Sequence, residues 1–182
     1  MRWMIASDIH GSAYYCEKLL NQMRVEQPDR LLLLGDTLYH GPRNDLPEEY
    51  DTKRVTAMLN EHRDRILSVR GNCDAEIDQV VLEFPILADY CMLCEGNLTV
   101  FATHGHLFNE ENLPPLSKGM ILLHGHTHCP ACREHELFTY INPGSVSIPK
   151  DGSEHSYMML DNGIFSWKTL DGKEYNTFRP GF

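Results

Sequence analysis

The stretch Leu31-Leu32-Leu33-Leu34-Gly35-Asp36 contains four consecutive leucines and ends at a glycine and a carboxylate. A continuous apolar run predicts a strand buried on both faces, because a strand with one solvated face alternates apolar and polar residues. Two further apolar runs, over residues 2–6 and 66–69, also stop at polar residues. The sequence therefore predicts a set of buried strands, each followed by a polar loop.

Amphipathic helices separate these strands. The apolar residues of the first helix follow the i, i+3, i+4, i+7 spacing of one helix face and are Cys16, Leu19, Leu20 and Met23. This pattern ends near Pro28, and the same spacing recurs over residues 55–62. Buried strands that alternate with amphipathic helices predict a sheet covered by helices.

The second half of the chain contains strand patterns joined by short turns. They cover residues 86–93, 98–103, 120–124, 137–141, 156–160 and 164–169. Asp161-Asn162-Gly163, between the last two, is typical of a tight turn, whereas residues 171–182 give no firm prediction. Two sheets with helices outside accommodate both halves, and a length of 182 residues fits one α/β domain over residues 1–182.

Composition excludes some classes of function. The net charge is −10, which argues against a long nucleic acid as ligand, because such proteins usually present a basic face. No apolar stretch approaches the roughly 20 residues that span a bilayer, and residues 1–8 become polar too early for a signal peptide. We therefore expect a cytoplasmic protein without a membrane segment.

Four of the six cysteines form two C-x-x-C pairs, Cys91 with Cys94 and Cys129 with Cys132. This is the nominal spacing of a four-thiolate zinc site. The first pair lies in a predicted strand, however, where residues three apart point to opposite faces. Free cysteines are favoured, and a cysteine-based zinc or redox protein is kept as a competing hypothesis.

Polar motifs follow five of the apolar runs. They are Asp8-Ile9-His10, Gly35-Asp36, Gly71-Asn72, His104-Gly105-His106 and Gly125-His126-Thr127-His128. Loops at the carboxyl ends of strands gather at one edge of an open α/β sheet, where ligands bind. Each motif alone is commonplace in turns and caps, but their ordered recurrence predicts a joint site. Its carboxylates, amide and imidazoles suit a divalent first-row metal better than calcium or magnesium alone.

This series resembles the calcineurin-like metallophosphoesterase superfamily, and most closely its small bacterial phosphodiesterases. Residues 40–44 and 142–149 also resemble that subgroup, and the similarity runs from residue 1 to about residue 161. The resemblance implies a four-layer α/β/β/α sandwich with a dinuclear metal centre between the sheet edges. One ion would be held by Asp8, His10, Asp36 and His128. The other would be held by Asp36, Asn72, His104 and His126.

The resemblance also implies a cofactor and a reaction. Members of the superfamily commonly use two Mn²⁺ ions, with Fe, Zn, Ni or Co as alternatives. Water held between the ions would lose a proton near neutral pH and attack phosphorus in line, with no covalent enzyme intermediate. The implied substrate is a small phosphodiester, and a small homo-oligomer is plausible.

Other functions of the same fold stay open. A phosphomonoester, a cyclic nucleotide or a nucleic acid could be the substrate, although the acidic charge disfavours a long strand. The fold could also serve as a protein-binding scaffold, as in the related retromer subunit. The complete set of seven donor residues favours an enzyme, because a scaffold can lose such residues freely.

Four further residues are candidate catalytic groups. Many members of the superfamily carry Gly-Asn-His-Asp/Glu where this chain has Cys73 and Asp74. A thiol is a weaker proton donor to a leaving group than imidazolium, so activated aryl diesters should be favoured. The alternative is that Cys73 only fills space and has no chemical role. Asp74 either orients this loop or caps a short helix over residues 77–81. Arg43 could contact phosphate oxygens or be a surface arginine. His106 could hold a ligand, face the substrate or cap its own turn.

Overall fold

A computed structural model describes residues 1–181 and contains two sheets packed face to face. The helices are α1 (Ala13–Glu26), α2 (Thr52–Asn60) and α3 (Asp78–Val81), and a 3-10 turn spans Arg63–Arg65. The first sheet contains β1 (Trp3–Ala6), β2 (Arg30–Leu33), β3 (Ile66–Ser68), β9 (Ser156–Asp161), β10 (Ile164–Thr169) and β11 (Glu174–Phe178). The second contains β4 (Tyr90–Glu95), β5 (Leu98–Thr103), β6 (Met120–His124), β7 (Ala131–Glu134) and β8 (Phe138–Asn142).

The strand order places the loops with the polar motifs at one edge of each sheet. The first sheet has the order β11-β10-β9-β1-β2-β3, and β1, β2 and β3 are parallel. The second has the order β4-β5-β6-β8-β7, and β5, β6 and β8 are parallel. The carboxyl ends of β1, β2 and β3 therefore lie side by side, and those of β5 and β6 do likewise.

The apolar side chains of the two sheets form the core. Leu31 and Leu33 face the layer that contains α1 and α2, whereas Leu32 and Leu34 pack between the sheets. All four are almost fully buried, which is why the run shows no polar alternation. The prediction of strands buried on both faces is confirmed.

The outer face of the second sheet is covered by an irregular segment, residues 105–118. Its Phe108 and Leu116 pack on a buried cluster that includes Phe101 and Tyr140. Phe108 meets Phe101 edge to face with ring centroids 5.6 Å apart. Pro114-Pro115 removes two backbone donors here, so a loop takes the place of the expected helix in this fourth layer.

The predicted helices and strands agree with the observed ones except at three places. Residues 86–89 precede β4 and are not strand, since the backbone N–H of Ile86 donates to Oε1 of Gln79. Strands β7 and β11 were not predicted. Both are edge strands; β7 has four residues, two of them exposed and charged, and β11 consists mainly of exposed residues. Among residues 1–181, none of the helices has the length and apolar character needed to cross a membrane. The predicted domain includes Phe182, which lies outside the described residues.

Candidate metal centre

The seven predicted metal ligands lie in loops that follow strands. Asp8 and His10 come after β1, Asp36 after β2, Asn72 after β3, His104 after β5, and His126 and His128 after β6. Five of them are almost completely buried, His126 is half-buried and Asn72 is exposed. The structure brings all seven side chains together in two groups that share Asp36.

The first group is centred on Nε2 of His10. This atom lies 3.6 Å from Oδ1 of Asp8, 3.7 Å from Oδ2 of Asp36 and 3.3 Å from Nε2 of His128. Nε2 of His128 lies 3.4 Å from the same oxygen of Asp8. Two carboxylates and two imidazoles thus surround one point in the protein.

The second group is centred on Nε2 of His104. This atom lies 3.5 Å from Oδ2 of Asp36, 3.0 Å from Oδ1 of Asn72 and 3.1 Å from Nδ1 of His126. Because Oδ2 of Asp36 is near both His10 and His104, one carboxylate oxygen lies between the two groups. This grouping is the same as the ligand assignment that the resemblance implies.

Backbone carbonyls fix the tautomers of three of the imidazoles. Each Nδ1–H donates to a carbonyl oxygen, His10 to Tyr39 at 2.8 Å, His104 to Leu34 at 2.6 Å and His128 to Ile148 at 2.6 Å. The neutral ring then has its lone pair on Nε2, directed into the site. Such second hydrogen bonds orient metal-binding histidines in proteins generally.

These residues fit a bound cation. Oδ1 of Asp8 is buried with no hydrogen-bond partner, and a buried unpaired carboxylate oxygen is costly. The Nε2 lone pairs of His10 and His128 face one another at 3.3 Å, which is unfavourable unless a cation or proton lies near them. One ligand atom from each of Asp8, His10 and His128 lies within 4.8 Å of the other two, and the same holds for Asp8, Asp36 and His104. Such spacing allows one ion to contact three residues.

Five of the predicted ligand residues have left-handed backbone conformations. Their φ angles are 60° at Asp8, 50° at His10, 54° at Asp36, 66° at His126 and 64° at His128. Non-glycine residues rarely adopt positive φ, and such strained positions cluster at functional sites. No pattern in the sequence indicated this feature.

Two glycines permit the close approach of these loops. A Cβ atom on Gly71 would lie 2.1 Å from Oδ1 of Asp36, and one on Gly125 would lie 1.9 Å from Oγ of Ser7 and 2.8 Å from Oδ2 of Asp8. Any larger residue would displace a carboxylate of the site. The close packing of these loops therefore explains why glycine occupies positions 71 and 125.

The segment over residues 142–149 holds the backbone of Asp8. The hydroxyls of Ser145 and Ser147 both donate to the Asp8 carbonyl, at 3.1 Å and 3.0 Å. The N–H of Val146 donates to the carbonyl of Ser7 at 3.0 Å. These contacts give the segment a positioning role for a ligand far from it in sequence.

Asp74 connects two of the ligand loops. Its Oδ2 accepts the backbone N–H groups of Asp36 at 2.9 Å and Gly71 at 2.7 Å, and its Oδ1 accepts that of Thr37 at 2.9 Å. The alternative that Asp74 caps a helix is wrong, because α3 begins at Asp78. The carboxylate is occupied by the Asp36 loop instead.

Two of the remaining candidate catalytic residues line a polar pocket of about 330 Å³. Arg43 and Cys73 line it together with four of the predicted ligands, Asp36, Asn72, His126 and His128. Lys150 also lines it and was missed by sequence reasoning, although it directly follows residues 142–149. His106 does not line the pocket, but its ring centroid lies 5.4 Å from that of His104.

The cysteine pairs do not converge. Cys91 and Cys94 lie on β4 and Cys132 lies on β7, which are the opposite edges of the second sheet. All six cysteines are free, and among residues 1–181 the candidate metal clusters contain Cys73 but neither C-x-x-C pair. The four-thiolate zinc hypothesis therefore has no support in the geometry.

Comparison with known proteins identifies the family of this chain. Residues 1–163 match the family model of the calcineurin-like phosphoesterase superfamily domain. The chain belongs to this superfamily. It is 47% identical over 166 residues to phosphodiesterase YfcE of Escherichia coli K12, covering 91% of this chain and 90% of the relative.

Solved structures show the same relationship. The structure of YfcE, described as a phosphoesterase from E. coli, covers 100% of both chains with a TM-score of 0.95 and 44% identity. Vps29 of Chaetomium thermophilum shares 16% identity over 99% of both chains with a TM-score of 0.61, which shows the fold alone. The expected metallophosphoesterase architecture is confirmed.

The electrostatics of the metal-free centre favour the charged forms of His104 and His10, because burial lowers the pKa of each imidazole less than the neighbouring carboxylates raise it. Burial alone would lower the pKa of His104, but the carboxylates of Asp36 and Asp8 raise it to about 9. Burial lowers the pKa of His126 to about 4 and also lowers that of His128. Burial opposes ionisation of both carboxyls, yet the facing imidazoles hold their pKa values below the usual range. At neutral pH His104 therefore carries a proton that a metal ion must displace.

Metal binding at pH 7 should release at least about one proton, principally from His104 with a contribution from His10, because only the neutral imidazole can act as a ligand. The charged form stabilises the metal-free protein below pH 6.5, and this contribution is lost as the pH rises through about 9. Metal affinity should therefore increase with pH over that interval. Calorimetric titration with Zn²⁺ in buffers of different ionisation enthalpy measures the protons released, and His104→Asn should release fewer. Binding without proton release at pH 7 would contradict the assignment.

Proposed function

We propose that the protein is a metal-dependent phosphodiesterase that hydrolyses a small phosphodiester at a two-ion centre. The observation that carries this proposal is the pair of donor groups that share Oδ2 of Asp36. The similarity to phosphodiesterase YfcE over 91% of the chain supports the reaction class. Mn²⁺ is the expected ion, and a cytoplasmic location remains a prediction from the sequence.

The donor residues and the two basic residues of the pocket would have different roles in the reaction. The seven donor residues would hold two divalent ions, and these would supply the nucleophile and the positive charge needed for attack on phosphorus. Asp8 and Asp36 contribute the negative charge that balances the cations, while the four imidazoles and Asn72 supply neutral donors. Arg43 and Lys150, which line the same pocket, are placed to bind nonbridging phosphate oxygens.

Cys73 occupies the position at which many superfamily members have histidine. Burial and the neighbouring Asp36 carboxylate raise the pKa of its thiol to about 12. The thiol therefore stays protonated but is a weak donor. This supports a preference for esters whose leaving alcohol departs without protonation by a strong acid.

The decisive test compares hydrolysis of bis(p-nitrophenyl) phosphate by chelated protein before and after Mn²⁺ is added. Activity should be close to background without metal and rise by at least about 100-fold with it, because each stabilising charge at the reaction centre contributes on that scale. p-Nitrophenyl phosphate, assayed in parallel, distinguishes a diesterase from a monoesterase.

Three outcomes separate the candidate functions. Faster turnover of the diester supports the proposal, whereas faster turnover of the monoester favours a phosphomonoesterase. Folded protein that binds Mn²⁺ but hydrolyses neither ester would favour the scaffold function.

A further inference from the structure

An apolar cleft of about 530 Å³ lies beside the metal centre, between α2 and α3. Its aromatic walls are Tyr39 and Tyr50, and its aliphatic side chains include Leu38, Ile77 and Val81. Small-molecule pockets have volumes of about 300–1,000 Å³ and are lined mainly by such side chains. The cleft therefore has the size and lining of a ligand site.

The cleft adjoins the polar pocket of the metal centre. Cys73 lines both. Its backbone N–H donates to Oδ1 of Asp36 at 2.7 Å, and Nδ2 of Asn72 donates to its sulfur at 3.2 Å. The ester group of a phosphate held at the metal ligands would therefore reach the cleft by extending past Cys73.

The aromatic wall is fixed before any ligand binds. The ring of Tyr50 lies against the backbone of Gly11, where a Cβ atom would be 2.5 Å from Cε2 of the tyrosine. Edge-to-face contacts connect Tyr50 to His40 at 5.2 Å and His40 to Tyr39 at 4.8 Å. The Tyr39 carbonyl in turn accepts the Nδ1–H of His10. The wall is thus joined to a ligand of the metal centre.

The opposite wall exposes apolar side chains. Ile77 is 70% exposed and Val81 is 48% exposed. The wall is held in place because Nδ2 of Asn60, at the end of α2, donates to the Val81 carbonyl at 2.8 Å. Contiguous apolar surface held open in this way is typical of a binding site.

The charges of the cleft favour an uncharged occupant. Its charged side chains are Lys53 and Asp78, which are of opposite sign. Their charges balance, so the cleft offers no net attraction for a second anion or for a cation. The phosphate charge is instead met in the polar pocket, where Arg43 and Lys150 lie.

We propose that this cleft binds the uncharged, ring-containing alcohol portion of the phosphodiester and so selects substrates with one aromatic or bulky apolar ester group. The inference rests on the proposed phosphodiesterase function and names its substrate class. Methyl, glyceryl or other small polar ester groups would leave the cleft unfilled.

The test uses an added side chain that fills the cleft from α2. Thr56 lines the cleft, whereas Ala57 on the same helix is exposed outside it. Thr56→Trp should lower kcat/KM for bis(p-nitrophenyl) phosphate by about 10-fold, while Ala57→Trp should leave it unchanged. Retention of Mn²⁺ binding by both variants excludes damage to the metal centre.

A direct binding measurement accompanies the kinetics. Methyl NMR spectra of Zn²⁺-loaded protein are recorded with diphenyl phosphate and with dimethyl phosphate, which carry the same charge. Signals of Ile77 and Val81 should shift with the diphenyl ester only, and Val80, which is 77% exposed and does not line the cleft, should not shift.

The outcomes distinguish this inference from the proposed function. Absence of Mn²⁺-dependent diester hydrolysis by the unaltered protein would contradict the proposed function itself. Hydrolysis that Thr56→Trp leaves unchanged, or diphenyl phosphate binding without shifts at Ile77 and Val81, would overturn the cleft assignment alone. Concentration-dependent shifts without ligand, together with a dimer in sedimentation, would instead assign the cleft to self-association and overturn the proposal.

Discussion

Asp36→Asn should lower the Mn²⁺-dependent kcat for bis(p-nitrophenyl) phosphate by about 1,000-fold. Oδ2 of Asp36 lies 3.7 Å from Nε2 of His10 and 3.5 Å from Nε2 of His104, so this oxygen is near both donor groups. An amide has no net charge and presents only one oxygen, so it cannot neutralise cations in both donor groups. The N–H of Cys73, which now donates to Oδ1, can still be accepted by the asparagine oxygen, so the fold should survive.

Metal analysis distinguishes a loss of ions from a loss of chemistry. Bound Mn²⁺ should fall from about two ions per chain to about one, measured by elemental analysis after dialysis. Asp45→Asn is the matched control, because Asp45 is exposed in a nearby loop and should change neither quantity. Full activity in Asp36→Asn would contradict the two-ion centre.

Asp74→Asn should destabilise the metal-free protein by about 2 kcal/mol and weaken Mn²⁺ binding by about 10- to 100-fold. The asparagine oxygen can replace Oδ2 and accept from Asp36 and Gly71. Its NH₂ group must then face the N–H of Thr37, which leaves two donors opposed in a buried site. Asp74 contacts Asp36 through the backbone N–H of Asp36 and not through its carboxylate, so it acts as a positioning residue for Asp36.

Urea unfolding in the presence of chelator measures the first effect, and Mn²⁺ titration measures the second. Asp78→Asn is a suitable control, because Asp78 accepts only the N–H of Ala75 in the same segment. A variant that is less stable but binds Mn²⁺ normally would show that Asp74 has a structural role only.

The convergence of the proposed metal ligands was predictable, because these residues directly follow the apolar strands in the sequence. Asp8, Asp36 and His104 each follow an apolar run, and parallel strands bring such positions to one edge. The helices were predictable for a similar reason, since Cys16 and Leu19 lie on one buried face of α1. In both cases a local pattern of apolar residues indicates which positions come together in the fold.

Other features depend on contacts between distant segments. Strand β11 is polar and mainly exposed, so its residues carry no apolar pattern and it exists through pairing with β10. The hydrogen bonds from Ser145 and Ser147 to Asp8 connect residues more than 130 positions apart. The apolar cleft likewise combines side chains from α2, α3 and the loop that contains Tyr39. No local pattern predicts such combinations.

The left-handed backbone at five of the proposed ligand residues limits which substitutions this centre can accept during evolution. Aspartate and histidine, with asparagine, are the non-glycine residues that most readily tolerate positive φ, and they are also effective metal ligands. A substitution at Asp8 or His128 must therefore satisfy both the conformation of the chain and the coordination chemistry. Glutamate and cysteine could satisfy the second requirement but are poorly suited to the first. Exchange of one metal preference for another is thus expected to proceed through surrounding residues, while the ligand loops themselves stay fixed.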